Sequence, residues 1–116
     1  MDKAVSEINS ISDNVYRIPC HVGKQEDRKL LLDFAIANYG EIDILISNAA
    51  ANTAICRVLD TNEKAWDKVF DTNVKAAFLL PQPAVPLIEK RGGGSIIYIS
   101  SVAAYKVMER VFAVEK

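Results

Sequence analysis

The sequence lacks the features that mark membrane proteins, nucleic-acid-binding proteins and disulfide-bonded secreted proteins. None of its apolar runs approaches the roughly 18 to 20 residues that a membrane-spanning helix needs. Its net charge of −1 provides no basic excess for nucleic acid or acidic lipid. The two cysteines, Cys20 and Cys56, have no metal-ligand spacing, so we expect free thiols and no metal site. The amino terminus lacks a signal peptide's apolar centre, and we therefore expect an intracellular protein.

The composition that is present suits a single domain over residues 1–116, and one stretch organises it. Residues 41–51 are Glu-Ile-Asp-Ile-Leu-Ile-Ser-Asn-Ala-Ala-Ala. The β-branched run from Ile42 to Ile46 predicts a central strand, buried on both faces of a parallel sheet. Ligands of such sheets bind beyond the carboxyl ends of the strands, so the small residues from Ser47 to Ala50 occupy a candidate binding position.

The first half of the chain has the pattern of a strand, helix, strand unit. Residues 2–9 are helix-like, and the alternation in Val15–Cys20 predicts a strand. A helix is predicted from Lys24 to Tyr39, because apolar residues share one face and Gly40 follows as a cap. With the strand at Ile42–Ile46, this is the βαβ pattern of an α/β protein.

The second half predicts one long, interrupted helix and a third strand. Thr61 is the predicted cap of a helix over about 62–90, which we expect to break near Leu80 because prolines follow at positions 81, 83 and 86. Gly92–Gly94 is a predicted turn and Ser95–Ser100 the third strand. The tail from Tyr105 to Lys116 has a helix-compatible pattern.

Three motifs occur in order: Ile-Ser-Asn-Ala-Ala at 46–50, Asp-Thr-Asn-Val-Lys at 71–75 and Gly-Gly-Ser-Ile-Ile-Tyr-Ile-Ser-Ser at 93–101. Together they resemble the short-chain dehydrogenases/reductases. The segments Cys-His-Val-Gly-Lys at 20–24 and Glu-Lys-Arg-Gly-Gly-Gly at 89–94 are similar to those of the family's NADPH-dependent carbonyl and retinal reductases. The resemblance fades after Tyr105.

The resemblance implies an α/β Rossmann-like, doubly wound parallel sheet, with NADP(H) as cofactor and a small-molecule carbonyl substrate such as a ketone or a retinal-like compound. It also implies a cytoplasmic or peroxisomal protein with no nucleic-acid or membrane partner. The family's long helix, here at about 62–90, commonly forms homo- or hetero-oligomers.

The resemblance assigns five residues to the cofactor. Asn48 matches an Asn that steadies the central sheet, and Ala49 and Ala50 would lie beside the adenosine half. His21 stands, next to Val22, where the family usually has an Asp that touches adenine; a lone His near a strand end is otherwise an ordinary structural residue.

Two further residues match the family's catalytic positions. Asn73 matches the helix Asn whose backbone holds a water of the proton relay. Ser101 matches the Ser that hydrogen-bonds the substrate carbonyl, and a hydroxyl beyond a strand's carboxyl end can act in this way. Ser100 would point the other way along an extended strand.

Two of the family's chemical parts are missing from the sequence. No Gly-x-x-x-Gly-x-Gly turn occurs, although backbone N–H groups of that turn hold the cofactor's pyrophosphate. The family's Tyr-x-x-x-Lys pair is also absent: its spacing from Ser101 leads to Val114, and Tyr105 has Glu109 four residues later. We therefore expect the central segment of a short-chain reductase, without the first two strands and the carboxyl-terminal part of the sheet.

This expectation leaves three interpretations of function. The first is an oxidoreductase by descent, of a family that reduces carbonyl compounds with NADPH, whose 116 residues are themselves inactive. The second is a non-catalytic form that binds a full-length relative through the helix at about 62–90. The third is a fragment without function. In the family's strand order, Val15–Cys20 would be strand three and Ile42–Ile46 strand four, with a two-strand gap between them.

Overall fold

The structure is a computed structural model that describes residues 2–11, 14–53 and 56–105. Its regular elements, in chain order, are helix α1 (Asp2–Asn9), helix α2 (Gln25–Tyr39), strand β1 (Ile44–Ser47), a 3₁₀ turn (Val58–Asp60), helix α3 (Glu63–Phe70), a π-helical turn (Asp71–Lys75), helix α4 (Ala76–Leu79), helix α5 (Pro81–Arg91), strand β2 (Ser95–Tyr98) and a second 3₁₀ turn (Val102–Ala104). The predicted tail beyond Tyr105 lies outside the described residues.

The two strands form a parallel sheet in which Ile44 pairs with Ser95 and Ser47 pairs with Tyr98. The ladder extends to Ile99, whose N–H donates to the Ser47 carbonyl at 3.1 Å. A parallel pair needs a crossover connection, and the helical run from α3 to α5 provides it. The predicted α/β class with a parallel sheet is therefore confirmed.

The prediction of a strand at Val15–Cys20 is wrong, because no strand in the described residues pairs with this segment. The segment instead lies against the end of α2 through Tyr39. The Tyr16 N–H donates to the Tyr39 hydroxyl at 3.2 Å, and that hydroxyl donates to the Asn14 carbonyl at 2.8 Å. The Tyr16 ring also makes edge contacts with the rings of Phe34 and Tyr39. Alternation marks a strand only where a neighbouring strand supplies hydrogen bonds.

The prediction that the strand at Ile42–Ile46 is buried on both faces is also wrong. Leu45 and Ser47 point into the core, whereas Ile44 and Ile46 are 57% and 58% exposed. In the described part of the chain, the core lies on one side of the sheet, where α2 and α5 contribute to it. Its members are Leu32, Ile42, Leu45, Leu80, Ala84 and Ile88.

Three glycines allow the chain to turn between the end of α5 and the start of β2. Gly92 caps the helix with a φ of 108°, and Gly93 follows with a φ of 116°. Any Cβ on Gly94 would lie 2.0 Å from the carbonyl oxygen of Asp43, so only glycine fits beside that backbone. The same carbonyl accepts the Ser95 N–H at 2.9 Å, which starts the sheet. The predicted turn and the predicted Gly40 cap of α2, with a φ of 81°, are both present.

The second helical region differs from the prediction at its start. Asn62, rather than Thr61, caps α3, because its side-chain oxygen accepts the Ala65 N–H at 2.9 Å. The path then passes through the π-helical turn before α4. The predicted interruption at Leu80 is present, between α4 and α5.

Pro81 has no N–H to give to the carbonyl of Ala77, one helical turn earlier. The Tyr98 hydroxyl, on β2, donates to that carbonyl at 3.4 Å instead. The sheet therefore compensates for the hydrogen bond that the proline removes from the helix.

Candidate cofactor and substrate site

Both strands end at the same edge of the sheet, and the candidate residues follow them. After β1 the chain runs through Asn48, Ala49 and Ala50, all of which are exposed. After β2 it reaches Ser101, which is partly exposed. Because the strands are parallel and in register from Ile44 to Ser47, the structure brings Asn48–Ala50 and Ser101 to one end of the sheet. This end is where open α/β sheets bind ligands.

Asn73 joins this region from the helical side. It is only 2% exposed and lies in the π-helical turn. Its side-chain oxygen accepts the Ala51 N–H at 2.7 Å, and its amide nitrogen donates to the Ala51 carbonyl at 3.0 Å. The sequence assigned a role to the backbone of Asn73 and missed that its side chain holds the loop after β1. A π-helical turn is often found at functional sites.

Ser101 begins the turn that follows β2. Its hydroxyl oxygen accepts the Ala103 N–H at 3.2 Å and so caps the 3₁₀ turn Val102–Ala104. A serine hydroxyl has one proton and two lone pairs, so this bond leaves the proton available for a carbonyl oxygen of a ligand. Tyr105, by contrast, is 95% exposed.

His21 and Val22 lie on a separate loop before α2. The His21 N–H donates to the Asp27 carboxylate at 2.8 Å, and the Val22 carbonyl accepts from the buried Arg28 side chain at 2.7 Å. The imidazole Nδ1 is 3.2 Å from the Gly23 N–H. Asp27 and Arg28 shape this loop, and the sequence pattern singled out neither of them as a site residue.

The imidazole of His21 also contacts a lysine. Its Nε2 lies 3.2 Å from Nζ of Lys68. A neutral imidazole has one acceptor nitrogen, so it accepts from either the Gly23 N–H or Lys68 at any moment. The ring therefore links the loop to α3 and remains exposed to solvent.

Cys20 lies beside this loop and has a shifted acidity. Its thiol donates to the Asp27 carbonyl at 3.5 Å. Burial raises the pKa of the Cys20 thiol, the Asp27 carboxylate raises it further, and Arg28 opposes them. Among the described residues, no cluster of His, Cys, Asp and Glu has the geometry of a metal site. None of the described helices is long and apolar enough to cross a membrane.

A parallel sheet, helices that connect its strands, and small residues at the strands' carboxyl ends define an α/β protein of the doubly wound class. The family model described as short chain dehydrogenase matches residues 1–113. The chain therefore belongs to the short-chain dehydrogenase family.

Curated relatives agree with this assignment. The chain is 46% identical over 105 residues to dehydrogenase/reductase SDR family member 4 of Homo sapiens, covering 90% of this chain and 38% of the relative. Tropinone reductase-like 3 of Erythroxylum coca is 40% identical over 106 residues, covering 91% of this chain and 40% of the relative. The chain thus spans about two fifths of the length of the curated relatives it matches.

Solved structures place the fold in the same class. A 7α-hydroxysteroid dehydrogenase complexed with NADH and 7-oxo glycochenodeoxycholic acid superposes with a TM-score of 0.83 at 29% identity, over 94% of this chain and 42% of that one. The protein gox2181 superposes with a TM-score of 0.85 at 21% identity, over 95% of this chain and 43% of that one, and supports the fold alone. The predicted Rossmann-like fold and family are both confirmed.

Proposed function

We propose that this chain carries the central part of an NADPH-dependent reductase of small carbonyl compounds, and that its 116 residues have no reductase activity on their own. The observation that carries the first part is the arrangement of Ser101 and the Asn48–Ala51 turn at one end of the sheet. Membership of the short-chain dehydrogenase family supports it. A cytoplasmic or peroxisomal location belongs to the same proposal.

The residues present fit one half of a dinucleotide. Ala49 and Ala50 are small and exposed beside a strand end, which lets an adenosine moiety approach the backbone, and His21 and Val22 would complete that side. The 116 residues contain no Gly-x-x-x-Gly-x-Gly turn to hold the pyrophosphate. The fit is therefore partial. NADP(H) supplies a hydride when bound, and its pyrophosphate would need contacts from residues outside these 116.

Ser101 would orient the substrate through a hydrogen bond from its hydroxyl to the carbonyl oxygen, where negative charge develops. Asn73 would support this arrangement, since it fixes the loop at Ala51. A serine hydroxyl is too weak an acid to protonate an alkoxide unaided. General acid catalysis typically supplies roughly 10²- to 10⁴-fold, and positioning of reactants up to about 7 to 11 kcal/mol, so the loss of both abolishes turnover.

The isolated chain and a chimera test the two parts separately. The purified chain should show no NADPH oxidation with aromatic ketones, diketones or retinal, and NADPH fluorescence should show no micromolar binding. Replacing the matching segment of human dehydrogenase/reductase SDR family member 4 with residues 1–104 should give a reductase that Ser101→Ala inactivates and Ser100→Ala does not. A cooperatively folded chimera that lacks activity would contradict the site assignment, and turnover by the isolated chain would contradict the second part.

A second function, binding to a full-length relative, is favoured by one surface. Trp66, Val74 and Phe78 are 45%, 45% and 67% exposed along the helical region, and the Trp66 ring stacks on Phe70 with centroids 4.5 Å apart. Such an apolar stripe is typical of a protein interface. Phe78→Glu should abolish co-elution with the full-length relative, whereas Leu59→Glu, at a residue 96% exposed outside the stripe, should not. Equal co-elution of both variants would rule out this surface.

A further inference from the structure

A cavity with several cationic side chains, the cationic cavity, lies between the start of α2 and the π-helical turn. Of the residues assigned to the cofactor, His21 alone is among the described residues that line it. Its volume is about 140 Å³, enough for several water molecules or one small anion. Four of its lining residues carry positive charge at neutral pH: Lys24, Arg28, Lys68 and Lys75.

Negative charge around the cavity is limited. Among the described residues that line it, Asp71 is the one carboxylate, and its Oδ1 lies 3.1 Å from Nζ of Lys75. Asp27, nearby, already accepts the backbone N–H of His21. The lining therefore has an excess of cations, which would repel one another without a bound anion.

Arg28 is the buried cation of this cavity. It is only 7% exposed, and its Nη1 donates to the Val22 carbonyl at 2.7 Å. A guanidinium has five N–H donors in a planar fork, so this bond fixes the side chain and leaves donors for an anion. Arg28 is one of the residues that line the cavity.

The backbone adds to the positive electrostatic potential of the cavity. Gly23 and Lys24 line the cavity, and Lys24 precedes α2 without a side-chain cap for the helix's first N–H groups. The amino-terminal end of a helix carries partial positive charge. A buried arginine, flexible lysines and a helix start together are typical of sites for phosphate.

We propose that this cavity binds a phosphate group, either inorganic phosphate or the phosphate monoester of a small metabolite. A ligand that binds only the folded state raises stability in proportion to ln(1 + [L]/Kd), so the Tm of the chain should rise with the logarithm of the phosphate concentration above the Kd. The non-specific stabilisation that phosphate exerts by exclusion from protein surfaces has no Kd and does not depend on the lysines of the cavity.

The test measures the Tm of the full chain in phosphate and in chloride at matched ionic strength, with a matched pair of variants. Lys75→Gln and Lys29→Gln each remove an exposed helical ion pair, to Asp71 and to Asp33, but only Lys75 lines the cavity. We expect Lys75→Gln and Lys68→Gln to weaken phosphate binding roughly 3- to 10-fold and Lys29→Gln to leave it unchanged.

Parallel titrations with adenosine 2′-phosphate and adenosine distinguish the source of the phosphate group. Equal shifts from inorganic phosphate and the nucleotide identify free phosphate as sufficient, and a tighter nucleotide identifies a monoester. The proposal is overturned if phosphate acts no differently from chloride, if adenosine alone produces the shift, or if Lys29→Gln weakens the effect as much as Lys75→Gln.

Discussion

The side chain of Asn73 holds the backbone of Ala51 at both of its polar groups, accepting the Ala51 N–H at 2.7 Å and donating to the Ala51 carbonyl at 3.0 Å. A side-chain amide that pairs with both groups of one residue acts as an extra peptide unit and fixes the position of the loop. The loop carries the candidate cofactor residues Asn48–Ala50, and the π-helical turn that carries Asn73 also lines the cationic cavity. One buried residue thus links two regions to which we assign ligands.

Asn73→Ala should destabilise the chain, because it leaves the Ala51 N–H and carbonyl without their partner. A hydrogen bond contributes about 0.5–1.5 kcal/mol net, and Ala51 is partly exposed, so the loss of both bonds should lower the free energy of unfolding by about 1–3 kcal/mol. Urea denaturation measures it. Asn38→Ala is the matched control: its amide donates to the Phe34 carbonyl on an exposed helix surface, and its removal should cost well under about 1 kcal/mol. Equal losses in the two variants would contradict the role of Asn73.

The pairing between Tyr98 and Ala77 predicts a coupling with Pro81. Tyr98→Phe should lower the free energy of unfolding by about 0.5–1.5 kcal/mol, because the Ala77 carbonyl then loses its donor. In a Pro81→Ala background, the new N–H at position 81 can serve that carbonyl, and Tyr98→Phe should cost little. A double-mutant cycle followed by urea denaturation measures this coupling. A Tyr98→Phe effect that is the same in both backgrounds would show that the hydroxyl does not replace the missing helical bond.

The sequence predicted those parts of the fold that depend on local chemistry. Gly40 and the Gly92–Gly94 turn were identifiable because glycine is the residue that adopts positive φ without strain. The apolar run before Ser47 identified β1, although the strand begins two residues later and ends one residue later than the predicted Ile42–Ile46, at Ile44–Ser47. Family motifs identified the strand ends that the parallel pairing brings together.

What the sequence missed depends on contacts between distant residues. The alternation in Val15–Cys20 does not reveal whether a partner strand exists, and Tyr39 receives that backbone instead. Thr61 and Asn62 are both good caps, and only the geometry selects Asn62. The π-helical turn has no sequence signature of its own, so the inward position of the Asn73 side chain could not be predicted.

Cys20 should respond to pH in a defined direction. Burial and Asp27 raise the pKa of its thiol, so the folded chain keeps the proton to a higher pH than the unfolded chain. The unfolded state then binds fewer protons above the ordinary thiol pKa of about 8.5, and the free energy of unfolding falls as pH rises through that region. Cys20→Ser should make this pH dependence shallower. In a Cys56→Ser background, alkylation of Cys20 by iodoacetamide should be slower in the folded chain than in urea; a faster reaction would contradict the raised pKa.

The open face of the sheet should make the chain self-associate. Ile44 and Ile46 are 57% and 58% exposed on β1, a strand whose second edge has no partner among the described strands. An unpaired edge beside an apolar face recruits other chains, and a charged residue there opposes such pairing because it would be desolvated. Ile46→Lys should therefore shift the sedimentation profile towards monomer. Leu30→Lys is the matched control, since Leu30 is 53% exposed but lies on α2, where no backbone groups are free to pair. If the unsubstituted chain sediments as a monomer at high concentration, or if Leu30→Lys suppresses association as strongly as Ile46→Lys, association does not arise from this strand.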